Sequence, residues 1–311
     1  MSSIFLVVLG VFGYIIIGYA IGKLKIFPNY LIRWFDFTSF NILLPLALIA
    51  FFWKIEFPNI NIFNLIFSFF GSGILIFMIG FFISLIVLKL KTDDSALMGL
   101  GSCFGNSVAL GIPLIYSLLG PVNSMPYMIL VFFHGFIHFT YTTLIIEGYR
   151  NRDSSLILII LKSLIGIFKN IVLLGMIIGI VLNYSSTEPP EILYFLLNIL
   201  TKFSLPAVLI SLGLSLSNFK ISEYFTFSLI LTSLKNFIHP VIAFILAKYF
   251  FSMSPTLVFI VTLAAALPSG SQTYYFSYRY DALKQIISSN IVLSTFVSFI
   301  TIPVILFLFG Y

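Results

Sequence analysis

Long apolar runs alternate along this chain with short polar connections that carry most of its Lys and Arg residues. A helix of roughly 20 residues crosses a hydrocarbon core about 30 Å thick. The pattern therefore predicts ten membrane-spanning helices, at residues 4–22, 31–52, 62–88, 95–119, 125–149, 171–182, 192–216, 222–249, 255–275 and 282–309. The first run has no basic leader and no convincing cleavage site, so we interpret it as a span and not as a signal peptide.

The composition agrees with a membrane protein. Of the 311 residues, 60% are hydrophobic and 8% are charged, and the mean hydropathy is +1.14. Soluble domains typically carry about 25% charged residues, so a soluble fold is excluded. The single cysteine, Cys103, excludes a disulfide framework. The net charge of +6 does not indicate nucleic acid, because the basic residues stand singly at the ends of apolar runs.

The basic residues also predict the orientation of the spans. With the N-terminus outside, twelve Lys and Arg residues lie in cytoplasmic connections and only Lys54 and Lys248 lie outside. Cytoplasmic connections of membrane proteins are enriched in these residues. We therefore expect a multi-pass protein of the cell membrane with both termini on the extracytoplasmic side.

The longest cytoplasmic connection, residues 150–170, divides the chain into two five-span halves, residues 1–149 and 171–311. Its apolar stretch with two lysines predicts an amphipathic helix in the membrane interface. Because five is an odd number, the second half enters the membrane in the opposite orientation, so a repeat of this kind is inverted. The predicted fold is an all-α polytopic membrane protein of two inverted five-helix repeats.

Two spans, one in each half, are interrupted by helix-breaking and small polar residues. Span 4 reads GNSVALGIP at residues 105–113, and span 9 reads LPSGSQT at residues 267–273. Paired interruptions of this kind point to the substrate site of a secondary transporter, and the helix start after each break would favour a carboxylate. The alternative is that the small residues serve only close helix packing. The candidate substrate-binding residues are Asn106, Ser107, Gly111, Pro113, Pro268, Ser269, Ser271 and Gln272.

Two further polar residues within spans are candidates for the same site. Lys235 lies in the middle of span 8, where it could neutralise an anion or pair with a carboxylate. Asn41, four residues before Pro45 in span 2, either presents its amide to a cavity or only accompanies a kink. Neither interrupted segment contains an acidic residue. Because a cation needs anionic ligands, this absence favours an anionic or neutral substrate.

The histidines suggest chemistry less strongly. His134 and His138 share one face of span 5, a spacing that can bind a metal or relay protons. Without an acidic third ligand nearby, packed and hydrogen-bonded histidines are the favoured interpretation, and neither a metal site nor a cofactor is predicted. His239, which precedes Pro240, is expected to mark a kink. Since the sequence has neither a catalytic constellation nor a phosphate-binding loop, no enzyme is predicted.

At these motifs the chain resembles the auxin efflux carrier family, which includes the plant PIN-FORMED proteins and bacterial malonate and malate permeases. GNSVALGIPL in span 4 is the most specific match, and similar segments are FNILLPLALIAFF in span 2, LPAVLISLGLSL in span 7, LKNFIHPVIAFILA in span 8 and ALPSGSQTYYFSYRY in span 9. The chain differs from the family at residues 269–272, after the second proline, and it lacks the large cytosolic loop of the plant members. These differences favour a prokaryotic small-acid carrier over an auxin carrier.

The resemblance implies ten helices in inverted repeats and an anion held where spans 4 and 9 cross. It also implies a transport domain of spans 3–5 and 8–10, a scaffold of spans 1–2 and 6–7 and, by analogy, a homodimer. The leading hypothesis is a secondary transporter of small organic anions, such as malonate or malate, that works by alternating access. The driving force is either the membrane potential or coupling to protons, and the sequence does not decide between them. The alternatives are a sodium-coupled organic anion symporter of the bile-acid type and a non-transporting, ligand-binding membrane receptor.

Overall fold

The computed structural model describes residues 2–150, 156–185, 188–219 and 224–310, which are helical apart from short connections. The predicted start of span 8 at residue 222, and the predicted cytoplasmic residues Arg152 and Lys220, lie outside the described residues. The helices are α1 Ser2–Lys23, α2 Asn29–Trp53, α3 Ile62–Val87, α4 Thr92–Cys103, α5 Ser107–Asn123, α6 Met125–Arg150, α7 Leu156–Lys169, α8 Ile171–Tyr184, α9 Glu191–Asn218, α10 Phe225–Phe250, α11 Pro255–Ala266, α12 Gln272–Arg279 and α13 Lys284–Leu308.

Seven helices in the described part are long and apolar enough to cross a membrane, namely α1, α2, α3, α6, α9, α10 and α13. Helices α7 and α8 meet at a bend of 73° and form an eighth span if they are taken together. The exposed faces carry large apolar side chains, such as Phe63 and Ile300, which are 62% and 69% exposed. Exposed apolar side chains on so many helices indicate contact with lipid. The prediction of an all-helical, multi-span membrane protein is therefore confirmed.

Two further apolar segments are interrupted, as their helix-breaking and small polar residues predict, although the break in span 4 lies upstream of its proline. Span 4 is divided into α4 and α5, and span 9 into α11 and α12. In span 4 the unwound residues are 104–106, upstream of Pro113, and α5 opens with a π-helical turn, Ser107–Gly111. Pro113 lies in the first turn of the α-helical part that follows. Proline fits there because the first turn needs no N–H donor.

The helices pack in two groups. In the first group, α1 packs along α9, and α2 packs along α8 and α9. In the second group, α3 packs on α4 and α10, α4 packs on α6, and α10 packs on α11 and α13. Helix α5 contacts α1 and α9 on one side and α6 on the other. The second half of an interrupted span therefore lies at the boundary between the two groups.

Helices α1 and α9 approach each other so closely that only glycine fits at their contact. A Cβ atom on Gly18 would lie 2.0 Å from the carbonyl oxygen of Ile210, and one on Gly213 would lie 2.1 Å from that of Ile15. Helices in a membrane associate through such close van der Waals contact, for which small residues are required. Direct backbone contact between α1 and α9 thus holds these two helices of the first group together.

Gly18→Ala is expected to destabilise the protein by roughly 1–3 kcal/mol, because the new methyl group must separate two helix backbones. Gly10→Ala on the same helix is the matched control, since a Cβ atom there meets nothing within 4 Å. Thermal unfolding of the purified variants in detergent, followed by tryptophan fluorescence, measures the difference. Equal unfolding temperatures for the two variants would contradict the prediction.

Candidate functional site

The two interruptions meet and satisfy each other's backbone. Gly105 and Ser269 form an isolated antiparallel bridge. The Asn106 amide donates to the Pro268 carbonyl at 2.7 Å, and the Gly270 amide donates to the Phe104 carbonyl at 3.0 Å. Unwound backbone at membrane depth needs partners within the protein, and here each segment supplies them for the other. The crossing, defined as residues 104–107 and 267–272, is therefore built from both halves of the chain.

Asn106 stands in the crossing with an unpartnered side chain. The residue is 0% exposed, and its carbonyl accepts a hydrogen bond from the Gly111 amide at 3.0 Å. Among the described residues, neither Oδ1 nor Nδ2 of Asn106 has a hydrogen-bond partner. A buried polar group without a partner costs about 1–3 kcal/mol, and native proteins rarely leave one unless water or a ligand satisfies it. This amide is the strongest candidate in the crossing for contact with a small polar ligand.

Ser107 and Gly111 belong to the turn that opens α5. The Ser107 hydroxyl donates to the Gly105 carbonyl at 3.3 Å, and the Ser107 carbonyl accepts a hydrogen bond from Tyr127 Oη at 2.7 Å. Gly111 lies directly against that tyrosine, since a Cβ atom there would be 1.8 Å from Oη. These two residues therefore shape the crossing. The sequence does not indicate Tyr127 as a site residue, because its contact with Ser107 joins two different helices and no local pattern predicts which helices meet.

The predicted residues of the second segment are of two kinds. Pro268 and Ser269 are buried within the pairing, where the Ser269 amide donates to Ser294 Oγ at 3.0 Å. Ser271 and Gln272 are half-buried around the start of α12. In the described part of the chain, Gln272 Oε1 has no hydrogen-bond partner. Each segment thus carries one side-chain amide with unused hydrogen-bonding capacity.

Lys235 lies behind the crossing. Its side chain is 0% exposed, and Nζ donates to the Ala265 carbonyl at 2.5 Å and contacts His239 Nδ1 at 3.3 Å. Ala265 is in the last turn of α11, where carbonyls lack intrahelical partners and the helix dipole is negative. A Cβ atom on Gly105 would lie 3.6 Å from Nζ. The lysine therefore caps one half-helix and places an amine next to the crossing.

Asn41 is not brought into this group. Its side-chain Nδ2 donates to the Phe37 carbonyl in its own helix at 3.0 Å. The π-helical turn that contains it, Ser39–Leu43, packs on α8 and α9. Asn41 therefore has a hydrogen-bond partner in its own helix, and its contact with the substrate stays a prediction.

Arg150 joins the ends of three helices, at the side of the protein that the sequence predicts to be cytoplasmic. Arg150 at the end of α6 donates from Nε to Asp93 Oδ2 at 2.8 Å, near the start of α4, and from Nη1 to the Tyr280 carbonyl at 3.0 Å, after α12. In the next connection a hydrogen bond from Lys284, at 2.5 Å, lowers the pKa of Asp281. These polar contacts tie the interrupted helices to α6 and α13. The sequence indicated Arg150 only as a topology signal.

A cavity of about 400 Å³ lies at the opposite, predicted outer end, between the first group and α5. Lys54, Tyr116 and Tyr194 are among its lining residues. Lys54 Nζ lies 4.9 Å from the ring centroid of Tyr194 and 3.3 Å from Glu188 Oε2. The cavity therefore combines aromatic walls with a lysine whose side chain is 44% exposed.

Comparisons with known proteins agree with this architecture. Residues 3–306 match the family model described as "Membrane transport protein". A curated protein of Rhizobium meliloti (strain 1021), described as "Putative malonate transporter", is 22% identical over 312 residues, which cover 99% of this chain and 96% of that protein. The match covers both interrupted segments and nearly every described helix. The resemblance seen in the motifs is thereby confirmed, and the chain belongs to the auxin efflux carrier family of membrane transport proteins.

Proposed function

We propose that this protein is a secondary transporter of small carboxylate anions, with malonate and malate as the first candidates, and that the anion binds at the crossing. The substrate class is suggested by the relative described as a malonate transporter. The sequence contains no phosphate-binding loop, and the proposal takes ion or solute gradients as the energy source for transport.

The observation that carries the proposal is the Asn106 amide, which is fully buried and has no partner for either polar atom in the described chain. Its Nδ2 donates two hydrogen bonds and therefore suits a carboxylate oxygen. The α5 turn begins directly after it, so backbone N–H groups and the positive end of the helix dipole face the same region. A carboxylate would be held there as anions are at other helix N-termini.

The charge around the crossing supports an anion over a cation. The lysine behind Gly105 supplies a basic group, and residues 104–107 and 267–272 include no Asp or Glu. A cation site in the same place would need anionic ligands. Basic groups in a low-dielectric region act over a longer range than in water, so Lys235 favours the bound anion without direct contact.

The arrangement of the helices supports alternating access. The seven long helices, α8 and the two interrupted segments together make ten spans, which we propose are two inverted repeats with both termini outside. In this arrangement α7, which meets α8 at a bend of 73°, is the helix in the membrane interface between the repeats. The crossing and its supporting helices belong mainly to the second group. Movement of this group against the first, at the boundary formed by α5, would open the site to each side in turn.

The test is uptake of radiolabelled malonate and malate into proteoliposomes under imposed pH and potential gradients. Saturable uptake is expected for the native protein, and Asn106→Ala is expected to lose it. Asn123→Ala is the matched control, because it removes an exposed amide from the far end of the same helix. Uptake by Asn106→Ala at the native rate would show that the substrate does not bind at Asn106. Uptake that requires sodium would favour the symporter of the bile-acid type, and binding without uptake would favour a receptor.

A further inference from the structure

Four basic side chains are buried together behind the crossing. Lys235 and His239 come from α10, and His134 and His138 come from α6, and all four are at most 4% exposed. Ion pairs among the described residues involve none of them. Intramembrane ionisable groups are costly and mark ion and proton pathways. The substrate site as described makes no use of the histidines, so their presence needs its own explanation.

The hydrogen bonds around His239 determine where its proton lies. Ser72 Oγ donates to the Phe69 carbonyl at 2.6 Å, which leaves the hydroxyl oxygen as an acceptor for His239 Nε2 at 3.4 Å. A neutral imidazole that donates from Nε2 must accept at Nδ1. Lys235 Nζ, 3.3 Å from Nδ1, is therefore the donor. The geometry fits an ammonium group beside a neutral imidazole, with a direct path for a proton between them.

The histidines of α6 provide a further proton acceptor. His138 Nδ1 donates to the His134 carbonyl at 2.8 Å, and His134 Nε2 donates to the Gly105 carbonyl at 3.2 Å. The neutral His134 ring then carries a lone pair on Nδ1, and this atom has no hydrogen-bond partner among the described residues. The two rings lie 4.5 Å apart. His134 Nδ1 is therefore a basic nitrogen free to accept a proton, and Nε2 of the same ring is hydrogen-bonded to Gly105 in the crossing.

From these contacts we propose that Lys235 and His239, with His134 beside them, bind the proton that crosses the membrane together with the carboxylate. This inference rests on the proposed transport function. Among the described residues, the titratable groups that face these side chains are Cys103 from α4 and His138 and Tyr141 from α6. Helix α3 contributes the neutral Ser72, and α11 contributes the Ala265 backbone carbonyl. Helix α13 contacts neighbouring residues of α10 through the neutral Asn290 and Ser294.

The bound anion and the proton stabilise each other in this site. Burial of an ammonium group without a counter-charge costs free energy. A carboxylate bound at Asn106 would supply that counter-charge, because Asn106 follows Gly105, which lies next to Lys235 Nζ. When the anion leaves, the ammonium N–H bond breaks and a new N–H bond forms at His239 Nδ1. The imidazolium then breaks its Nε2–H bond and gives this proton to water that enters the opened site, which leaves a neutral lysine amine and a neutral imidazole protonated on Nδ1. The loaded carrier therefore moves with anion and proton, and the empty carrier moves with neither.

Lys235→Arg tests the proposal, because a guanidinium cannot release its proton and should block only the return of the empty carrier. Radiolabelled malonate uptake is measured in proteoliposomes with the potential clamped, first into empty vesicles and then in exchange for internal malonate. A pH-sensitive dye inside the vesicles reports proton entry, and protein-free vesicles correct for diffusion of the acid. We expect native uptake to acidify the lumen. In Lys235→Arg, net uptake and acidification should be lost while exchange persists.

Two further variants complete the experiment. His239→Gln should slow net uptake more than exchange, and it provides the same comparison if Lys235→Arg does not fold. Lys202→Arg is the control, because it alters an exposed lysine of α9 and should leave both modes unchanged. Saturable malonate uptake by the native protein without acidification would overturn the proton site alone. Equal loss of net uptake and exchange in both variants would also overturn it, whereas absence of any native flux would overturn the proposed function itself.

Discussion

Asn106→Asp is expected to abolish malonate uptake, the largest effect of any single substitution in the crossing. The variant replaces an amide donor with a carboxylate at a position that is 0% exposed. Two like charges about 4 Å apart at an effective dielectric constant of about 20 repel by about 4 kcal/mol. This energy lowers the affinity for a carboxylate substrate roughly a thousandfold. Initial uptake rates of native and variant protein, reconstituted in equal amounts, measure the loss.

The control places the same charge at the other end of the same helix. Asn123→Asp alters an exposed residue whose amide donates only to the Leu119 carbonyl within its own helix, and it should transport at nearly the native rate. Size-exclusion profiles and unfolding temperatures of both variants establish that they are folded. Substantial malonate uptake by Asn106→Asp would exclude a carboxylate site at this residue, whatever the result for Asn106→Ala.

The sequence predicted the seven long apolar helices well because their physical cause is local. A helix that faces lipid must be apolar over its whole length, and the charges that set its orientation must lie at its ends. The same locality applies to the two interruptions, since Gly105 in span 4 and Pro268 and Gly270 in span 9 lie within the unwound residues and act on their own backbone. The predicted end of span 3 at residue 88 and the observed end of α3 at Val87 differ by one residue.

The sequence did not predict which residues the interruptions bring together. The bridge between Gly105 and Ser269 joins positions 164 residues apart, and no local pattern encodes such a contact. For Lys235, sequence analysis suggested an anion or a carboxylate as partner, whereas its observed partners are a backbone carbonyl and His239. Tertiary hydrogen bonds decide the role of a buried polar residue, and these depend on helix packing that a single sequence does not show.

Gly111→Ala is expected to disrupt the crossing and to lose most of the uptake activity. The new methyl carbon would lie 1.8 Å from Tyr127 Oη and 2.7 Å from Leu267 Cδ1, and Tyr127 is 1% exposed and cannot turn away into solvent. Overpacking of this kind typically costs about 1–3 kcal/mol. Displacement of the tyrosine also breaks its hydrogen bond to the Ser107 carbonyl, worth about 1 kcal/mol. Thermal unfolding and malonate uptake measure the two effects.

A second substitution should restore part of the loss. Tyr127→Phe removes the oxygen that the new methyl group would strike, so Gly111→Ala/Tyr127→Phe should be more stable and more active than Gly111→Ala. The rescue should be incomplete, because the ring carbon Cζ also lies only 2.8 Å from the added carbon. Gly135→Ala in α6, where the nearest atom is 3.6 Å away, is the matched control and should behave as the native protein does. If Gly111→Ala unfolds and transports as Gly135→Ala does, the turn that opens α5 tolerates a side chain, and its close contact with Tyr127 does not determine the geometry of the site.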